Sequence, residues 1–345
     1  MLNVALIGAG YWGANLARNI ANNPRCELAV VADANAEAAK ALASQWGAET
    51  ADSLEATLGM PHIQAVVLAT PARTHGQLGL EIVQSGRHVL IEKPFATSLD
   101  EAKAIIETAE SLGVVAMPGH TFLYAEPVRF LRRLLESGEL GTPLYAYSQR
   151  LNLGRIRSDC DAMWNLAPHD LSILDYLFDS PATSVTASGG YFLQPGLADV
   201  TFGRVNYASG AVGHFHVSWL DPRKTRSVVV VGSEKMAVYD DVSSDRKVEI
   251  YESRAIAEVA GDLSEGTYEG SYEHSWQTRP GAIAIPHLNL REPLSLEIAD
   301  FAAACLDGTE PVASATGGLR VATQLEALTQ SQAENGSPVE VRDHA

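Results

Sequence analysis

Three glycines, Gly8, Gly10 and Gly13, follow a short apolar run (residues 2–7) and open a stretch of helical pattern (13–22). Spaced G-x-G-x-x-G between a strand and a helix, they leave the chain few ways to fold. The first glycine permits a tight turn, the second lets the backbone approach a ligand closely, and the third allows close helix–strand packing. The alternation then continues. Residues 27–32, 65–69, 88–91 and 114–117 read as apolar strands, and 36–46, 77–85 and 99–111 as helices. Strands alternating with helices over short connections form a parallel, doubly wound sheet.

The pattern changes near residue 120. Residues 122–137 read as a helix broken at Pro127, 144–151 as a strand, and 161–178 as mostly helical after Pro168. Strand signals follow at 184–188, 199–207, 211–219, 226–231 and 236–239, with turns such as Ala208-Ser209-Gly210 between neighbours. That sheet is expected to be mainly antiparallel. Residues 294–306 and 317–332 read as helices, the first with acids near its start that suit the helix dipole. The 345 residues are enough for two domains. The expectation is an α/β chain: residues 1–120 a Rossmann domain with a doubly wound parallel sheet, residues 121–345 an α+β domain with a large open sheet. The C-terminal helices are expected to pack back on the first domain.

Charge narrows the partners. The formal net charge is −17, with 42 acidic against 25 basic residues. Phosphate binding needs a basic patch, so this balance opposes nucleic acid, while it tolerates a cationic substrate. Cys26, Cys160 and Cys305 are far apart and offer neither a metal spacing nor a disulfide framework, which favours a reducing compartment. The apolar runs fall well short of a membrane span, and no basic leader precedes residue 2. A cytoplasmic location, with no membrane partner, is the expectation.

The helix N-terminus after Gly10 offers free amides and positive potential to phosphates, with Tyr11 and Trp12 in the same loop. Asp33 ends the next strand, 20 residues past Gly13. There its carboxylate suits the two ribose hydroxyls of NAD and repels a 2′-phosphate, so NAD is the expected cofactor. As a solvated loop aspartate it would leave that preference open. Ala69-Thr70-Pro71-Ala72-Arg73-Thr74-His75 ends the third clear strand. Thr70, Pro71 and His75 either line the nicotinamide side, or His75 starts the next helix as a surface residue. Glu92-Lys93-Pro94 follows the strand at 88–91. A lysine at that end reaches a ligand in the crevice of an open parallel sheet, and Pro94 keeps Lys93 extended or in a turn.

The glycine loop, Ala69-Thr70-Pro71 with His75, Glu92-Lys93-Pro94, and Trp164-Asn165-Leu166-Ala167-Pro168-His169-Asp170 together resemble the Gfo/Idh/MocA oxidoreductase family. Arg150-Leu151-Asn152-Leu153-Gly154-Arg155-Ile156-Arg157, the segment around His169, and Ala198-Asp199-Val200-Thr201 are most similar to its nucleotide-sugar branch, the UDP-N-acetylglucosamine-type 3-dehydrogenases. The resemblance implies oxidation or reduction of a secondary alcohol of a sugar, sugar nucleotide or cyclitol. It also implies homodimers or homotetramers paired through the open sheet, and catalytic roles for Lys93 and His169. Many members carry an aspartate four residues before the histidine, where this chain has Asn165.

Hydride transfer from a sugar C–H needs a base on the hydroxyl proton. An imidazole titrating near ~6.5 is a neutral base at pH 7, whereas a lysine near ~10.4 must be shifted strongly downward. His169 is therefore the expected acceptor and Lys93 the polarising group, the reverse assignment being nearly equal. His169 as a satisfied core histidine is the bland alternative. Asn165 shares a helical face with His169, and Asp170 or Asp161 is a candidate to orient the imidazole. Arg150, Arg155 and Arg157 suit a diphosphate or form a solvated loop. His120, Tyr124 and Asn152 are candidates to face the sugar, and Trp164 to stack near the nicotinamide or fill the core. His214 and His216 share a strand face without a third ligand, so sheet packing or a subunit contact fits them better than metal. The reading is an NAD-dependent dehydrogenase acting at a ring hydroxyl, C3 first, of an amino sugar or sugar nucleotide. A ketosugar reductase, an aminoglycoside dehydrogenase and a non-catalytic NAD-binding regulator are the alternatives.

Overall fold

The computed structural model describes residues 1–154, 156–252, 254–257, 276–279 and 281–342. The first half runs β1 (Leu2–Ile7), α1 (Tyr11–Ala21), β2 (Cys26–Ala32), α2 (Ala36–Trp46), β3 (Glu49–Ala51), α3 (Leu54–Leu58), β4 (Ala65–Leu68), α4 (His75–Gln84), β5 (His88–Glu92), α5 (Leu99–Leu112) and β6 (Ala116–Gly119). Among the described residues these strands form one parallel sheet ordered β3-β2-β1-β4-β5-β6. Helices cover both faces, so the central strands are apolar throughout: all four residues of β4 are buried. The order reverses between β1 and β4, and a crevice at that point is where ligands bind in such sheets. Sequence reading omitted β3 and α3. β3 is a three-residue edge strand with two exposed residues, too short for a periodic signal.

The second half runs α6 (Glu126–Glu136), β7 (Pro143–Leu153), α7 (Ala162–Phe178), β8 (Ala182–Gly190), β9 (Val200–Tyr207), β10 (Val212–Ser218), β11 (Leu220–Gly232), β12 (Met236–Asp240), β13 (Val248–Tyr251), β14 (Arg254–Ala257), β15 (Trp276–Arg279), β16 (Ile283–Ala284), α8 (Pro293–Asp307), α9 (Ala315–Ala333) and β17 (Val339–Glu340). A nine-stranded sheet is ordered β16-β13-β12-β11-β7-β10-β9-β8-β17, and its neighbours are antiparallel except for the parallel pair β7–β10. One face packs on α7 through Leu171, Leu174, Val205, Phe215 and Val217. The other carries Tyr145, Tyr147 and Phe202 into solvent.

The helical run expected at 122–137 does break beside Pro127: a 3-10 turn over Thr121–Tyr124 is followed by extended Ala125, and Pro127 sits in the first turn of α6, where a missing N–H costs nothing. α7 starts at Ala162, well before Pro168, because the Asp161 side chain accepts from Trp164 N (2.8 Å) and caps the helix. The acids near the start of α8 also serve other partners. Glu292 pairs with Arg18 and Asn19 of α1, while Glu297 is wholly buried. α8 thereby packs on the first sheet's helices, as does the pair Arg25–Asp307. No helix among the described residues is long and apolar enough to cross a membrane.

Candidate active site

The glycine loop is shaped by close approach. Gly8 holds φ at +112°, and a Cβ there would lie 2.5 Å from Ala69 O. A Cβ on Gly13 would collide with Gly8 O. Only glycine fits at either position, so the β1–α1 turn is pinned under the β4 loop. Gly10 caps α1 without a side-chain bond, leaving first-turn amides free, and Tyr11 is exposed beside them. Asp33 stands at the end of β2. One carboxylate oxygen accepts from Ala9 N (2.6 Å) and the other from Asn35 N (2.7 Å). The free amides, the uncrowded Gly10 and a carboxylate next to the loop together fit a dinucleotide.

Trp12 crosses to β5, where its indole N–H donates to Glu92. Glu92 is buried and its second oxygen accepts from Lys93 N (3.2 Å). Lys93 reaches the first turns of α7: its Nζ donates to Asn165 O (2.8 Å) and lies 3.4 Å from Asn165 Oδ1. Pro168, one turn on, has no N–H for the carbonyl of residue 164 and loosens that part of the helix. The neighbouring carbonyl at 165 serves the lysine instead. Burial is the largest influence on Lys93 and depresses its pKa; Arg150 and Arg157 act the same way, and Glu92 opposes them.

His169 lies in the same pocket, near enough to Lys93 for the ammonium to disfavour the imidazolium. Phe122 meets its ring edge-on at 4.9 Å. Its Nδ1 is buried and without a partner among the described residues. Burial first, then Arg150, Lys93 and His120, hold its pKa well below the usual histidine value. His169 is thus neutral, but from burial and cationic neighbours rather than from the Asn165 substitution alone. His120 is buried beside it and pushed down to about 4 by burial.

Several expected roles are corrected. Asp170 does not orient His169: it is paired with Arg150 through two bonds of 3.0 and 3.2 Å, and both side chains are buried. Arg150, with its fork filled and its guanidinium 4.4 Å above the Phe122 ring, is not open to a diphosphate. Asp161 is the cap of α7. Tyr124 is fully buried and donates to Asp300 (2.7 Å), so it does not face a sugar. Trp164 turns its indole N–H to Thr329 of α9 (2.9 Å), away from the glycine loop. His75 is neither on the surface nor open to a ligand; its two ring nitrogens meet Pro94 O (2.7 Å) and Thr70 O (2.9 Å), bracketing the two loops. Burial holds its pKa below normal against those carbonyls. Thr70 bonds Thr74 (2.7 Å), and Pro71 is exposed.

Asn152 continues the β7 face that carries Ser148 and Arg150, and Arg150 of that row meets Asp170 of α7. Arg157 stands near Lys93 and His75, with its fork taken by Asp159 (2.8 and 2.6 Å). Arg155 lies outside the described residues. Sequence reading missed Phe122, Asp159 and Glu297. Only Asp159 left a signal, as an acid two residues from Arg157. Among the described residues no three His, Cys, Asp or Glu side chains converge as a metal site, and His216 stacks on Phe202 at 4.0 Å.

Two family models match this chain. One, described as "Oxidoreductase family, NAD-binding Rossmann fold", matches residues 2–120, and the other, "GFO/IDH/MocA C-terminal domain", matches residues 128–238. The chain is 28% identical over 231 residues to scyllo-inositol 2-dehydrogenase (NAD(+)) of Bacillus subtilis, covering 63% of this chain and 67% of that protein. It is 32% identical over 189 residues to UDP-N-acetylglucosamine 3-dehydrogenase of Acidithiobacillus ferrooxidans, covering 54% and 58%. The chain spans about half the length of other curated relatives it matches. Its fold is similar to that of GenD2 from gentamicin A biosynthesis in complex with NAD, with a TM-score of 0.82, 24% identity and coverage of 99% and 96%.

Proposed function

The chain belongs to the Gfo/Idh/MocA family of NAD-binding oxidoreductases, and from that membership and the meeting of Lys93 with α7 we propose that it is an NAD-dependent dehydrogenase. Its substrate is a sugar with a secondary ring hydroxyl, C3 of an amino sugar or sugar nucleotide being the first position to test. The observation that carries the reading is Lys93 Nζ anchored to α7 at Asn165 in the pocket that also holds a neutral His169. The ketosugar reductase is the same chemistry run backwards.

When bound, the nicotinamide supplies a hydride acceptor. The chain's own groups do the rest. The free amides of α1 hold the pyrophosphate and Asp33 the ribose hydroxyls. Lys93 donates to the substrate oxygen and stabilises its developing negative charge. A ring nitrogen of the neutral His169 accepts the hydroxyl proton; such assistance is typically worth ~10²–10⁴ in rate.

A second reading has a specific support. Arg150 and Arg157 are each filled by a carboxylate, which leaves two of the three candidate arginines less suited to a diphosphate. An unphosphorylated amino sugar or aminoglycoside then fits better than a nucleotide sugar. Reduced-nicotinamide absorbance with UDP-sugars, amino-sugar glycosides and cyclitols separates the two. Lys93→Ala should abolish turnover while NAD still binds. Tight NAD binding without turnover on any of these would return the protein to a regulatory role. The exposed aromatic face of the nine-stranded sheet suits pairing of two or four copies, and three free cysteines suit a cytoplasmic location.

A further inference from the structure

We propose that Trp12 is a positioning residue that acts on Lys93 through Glu92, so that the cofactor loop and the catalytic lysine are one linked unit. The inference rests on the reading that Lys93 works at the substrate oxygen. Its support is a continuous path of bonds. The Trp12 indole, from the fifth position of the glycine loop, donates to Glu92. Glu92 caps Lys93 N, and Lys93 Nζ is anchored at Asn165. Trp12 is the one residue of that path in the loop that would touch a dinucleotide, and it remains 39% exposed on the cofactor side.

Glu92 needs this donor. It is buried, and it faces a second buried acid: Glu297 of α8 has no exposed surface. Glu297 Oε2 accepts from Thr121 (2.8 Å), and its Oε1 has no partner. Asp300 lies behind it, and Gly119 of β6 closes the remaining side, where a Cβ would stand 3.3 Å from the Glu92 carboxyl carbon. Burial raises both glutamates toward the neutral form. The Trp12 bond and Lys93 are what favour an ionised Glu92. Lys93 is faced in turn by Arg150 of β7, by Arg157 and Cys160 of the following loop, and by His169 of α7. Of the described groups around it, Glu92 and Cys160 favour its charged form, and burial pushes the Cys160 thiol up to about 11, which leaves Glu92 as the acid placed to act as its counter-charge. Weakening the indole bond therefore favours the neutral form of Glu92 and lowers the pH at which Lys93 loses its proton.

The test needs no substrate. Lys93 in the cofactor-free protein is labelled with a small acylating reagent across a pH series, and the labelled peptide is quantified by mass spectrometry. Trp12→Phe keeps the ring and removes the donor; Glu92→Gln keeps an acceptor and removes the charge. Each should lower the Lys93 labelling midpoint by roughly one pH unit or more, the usual effect of losing a nearby opposite charge. The double variant should shift it no further than Glu92→Gln alone. An unchanged midpoint in a folded Trp12→Phe, or shifts that simply add in the double variant, would overturn the inference. Failure of every sugar to turn over would overturn the functional reading instead.

Discussion

Removing the Asp170 carboxylate tests whether Arg150 is a buried structural charge or a free substrate-binding one. Its guanidinium and the Asp170 carboxylate are 6% and 1% exposed and share two bonds. Asp170→Ala leaves the guanidinium uncompensated, which for a buried pair costs 3–5 kcal/mol, about the high end of single-residue effects. The Phe122 ring 4.4 Å from Arg150 retains a cation–π contact, worth roughly 0.5–2 kcal/mol and favouring the lower figure. Spread over the unfolding entropy of a chain of 345 residues, that is a drop in Tm of about 4–7 °C. The assay is a thermal melt of the cofactor-free protein at pH 7. Replacing both partners, Arg150→Met with Asp170→Leu, should recover much of the loss because no lone charge remains buried. A drop below about 1.5 °C for Asp170→Ala, the range of an exposed pair, or a double variant no better than the single, would refute the placement of Arg150 inside the fold.

Asp175 gives a pH test of stability. It is half-buried, accepts from Tyr207 and Gln324, and desolvation raises its pKa to about 6. A carboxyl whose folded value exceeds its unfolded one binds more protons when folded, so stability should rise as pH falls from 7 toward 4 by up to ~2–3 kcal/mol. Asp175→Asn should flatten that slope in a series of melts; an unchanged slope contradicts it. Asp33→Ala should weaken NAD binding by about 1.5–3 kcal/mol, the range for charge-assisted bonds, and narrow the preference over NADP in a fluorescence titration. Retained preference would give discrimination to another residue.

The parts of this molecule that were legible in the sequence are those set by local rules. Gly8 and Gly13 announce a backbone contact that no side chain tolerates, and residues 36–46 fit the helix period well enough that both ends of α2 are read correctly. Lys93 and His169 are recognised because the surrounding motifs recur in a family. What stayed hidden depends on long-range pairing. That Arg150 spends its fork on Asp170, Tyr124 on Asp300, and Trp164 on Thr329 follows from the packing of α7, α8 and α9, which no window of sequence contains. Pro168 misleads for a related reason. Proline's cost depends on its position within the helix, and the start at Ala162 is fixed by a cap rather than by the proline itself.

The central claim is that Lys93 and His169 act on one substrate oxygen beside the cofactor. A crystal structure with NAD and a sugar from the panel that turns over measures it directly. The account predicts one ring hydroxyl within about 2.6–3.2 Å of both Lys93 Nζ and His169 Nε2, with its carbon facing the nicotinamide. A sugar bound with Lys93 still held at Asn165 and out of its reach, or with His169 shut off from the oxygen, would contradict it.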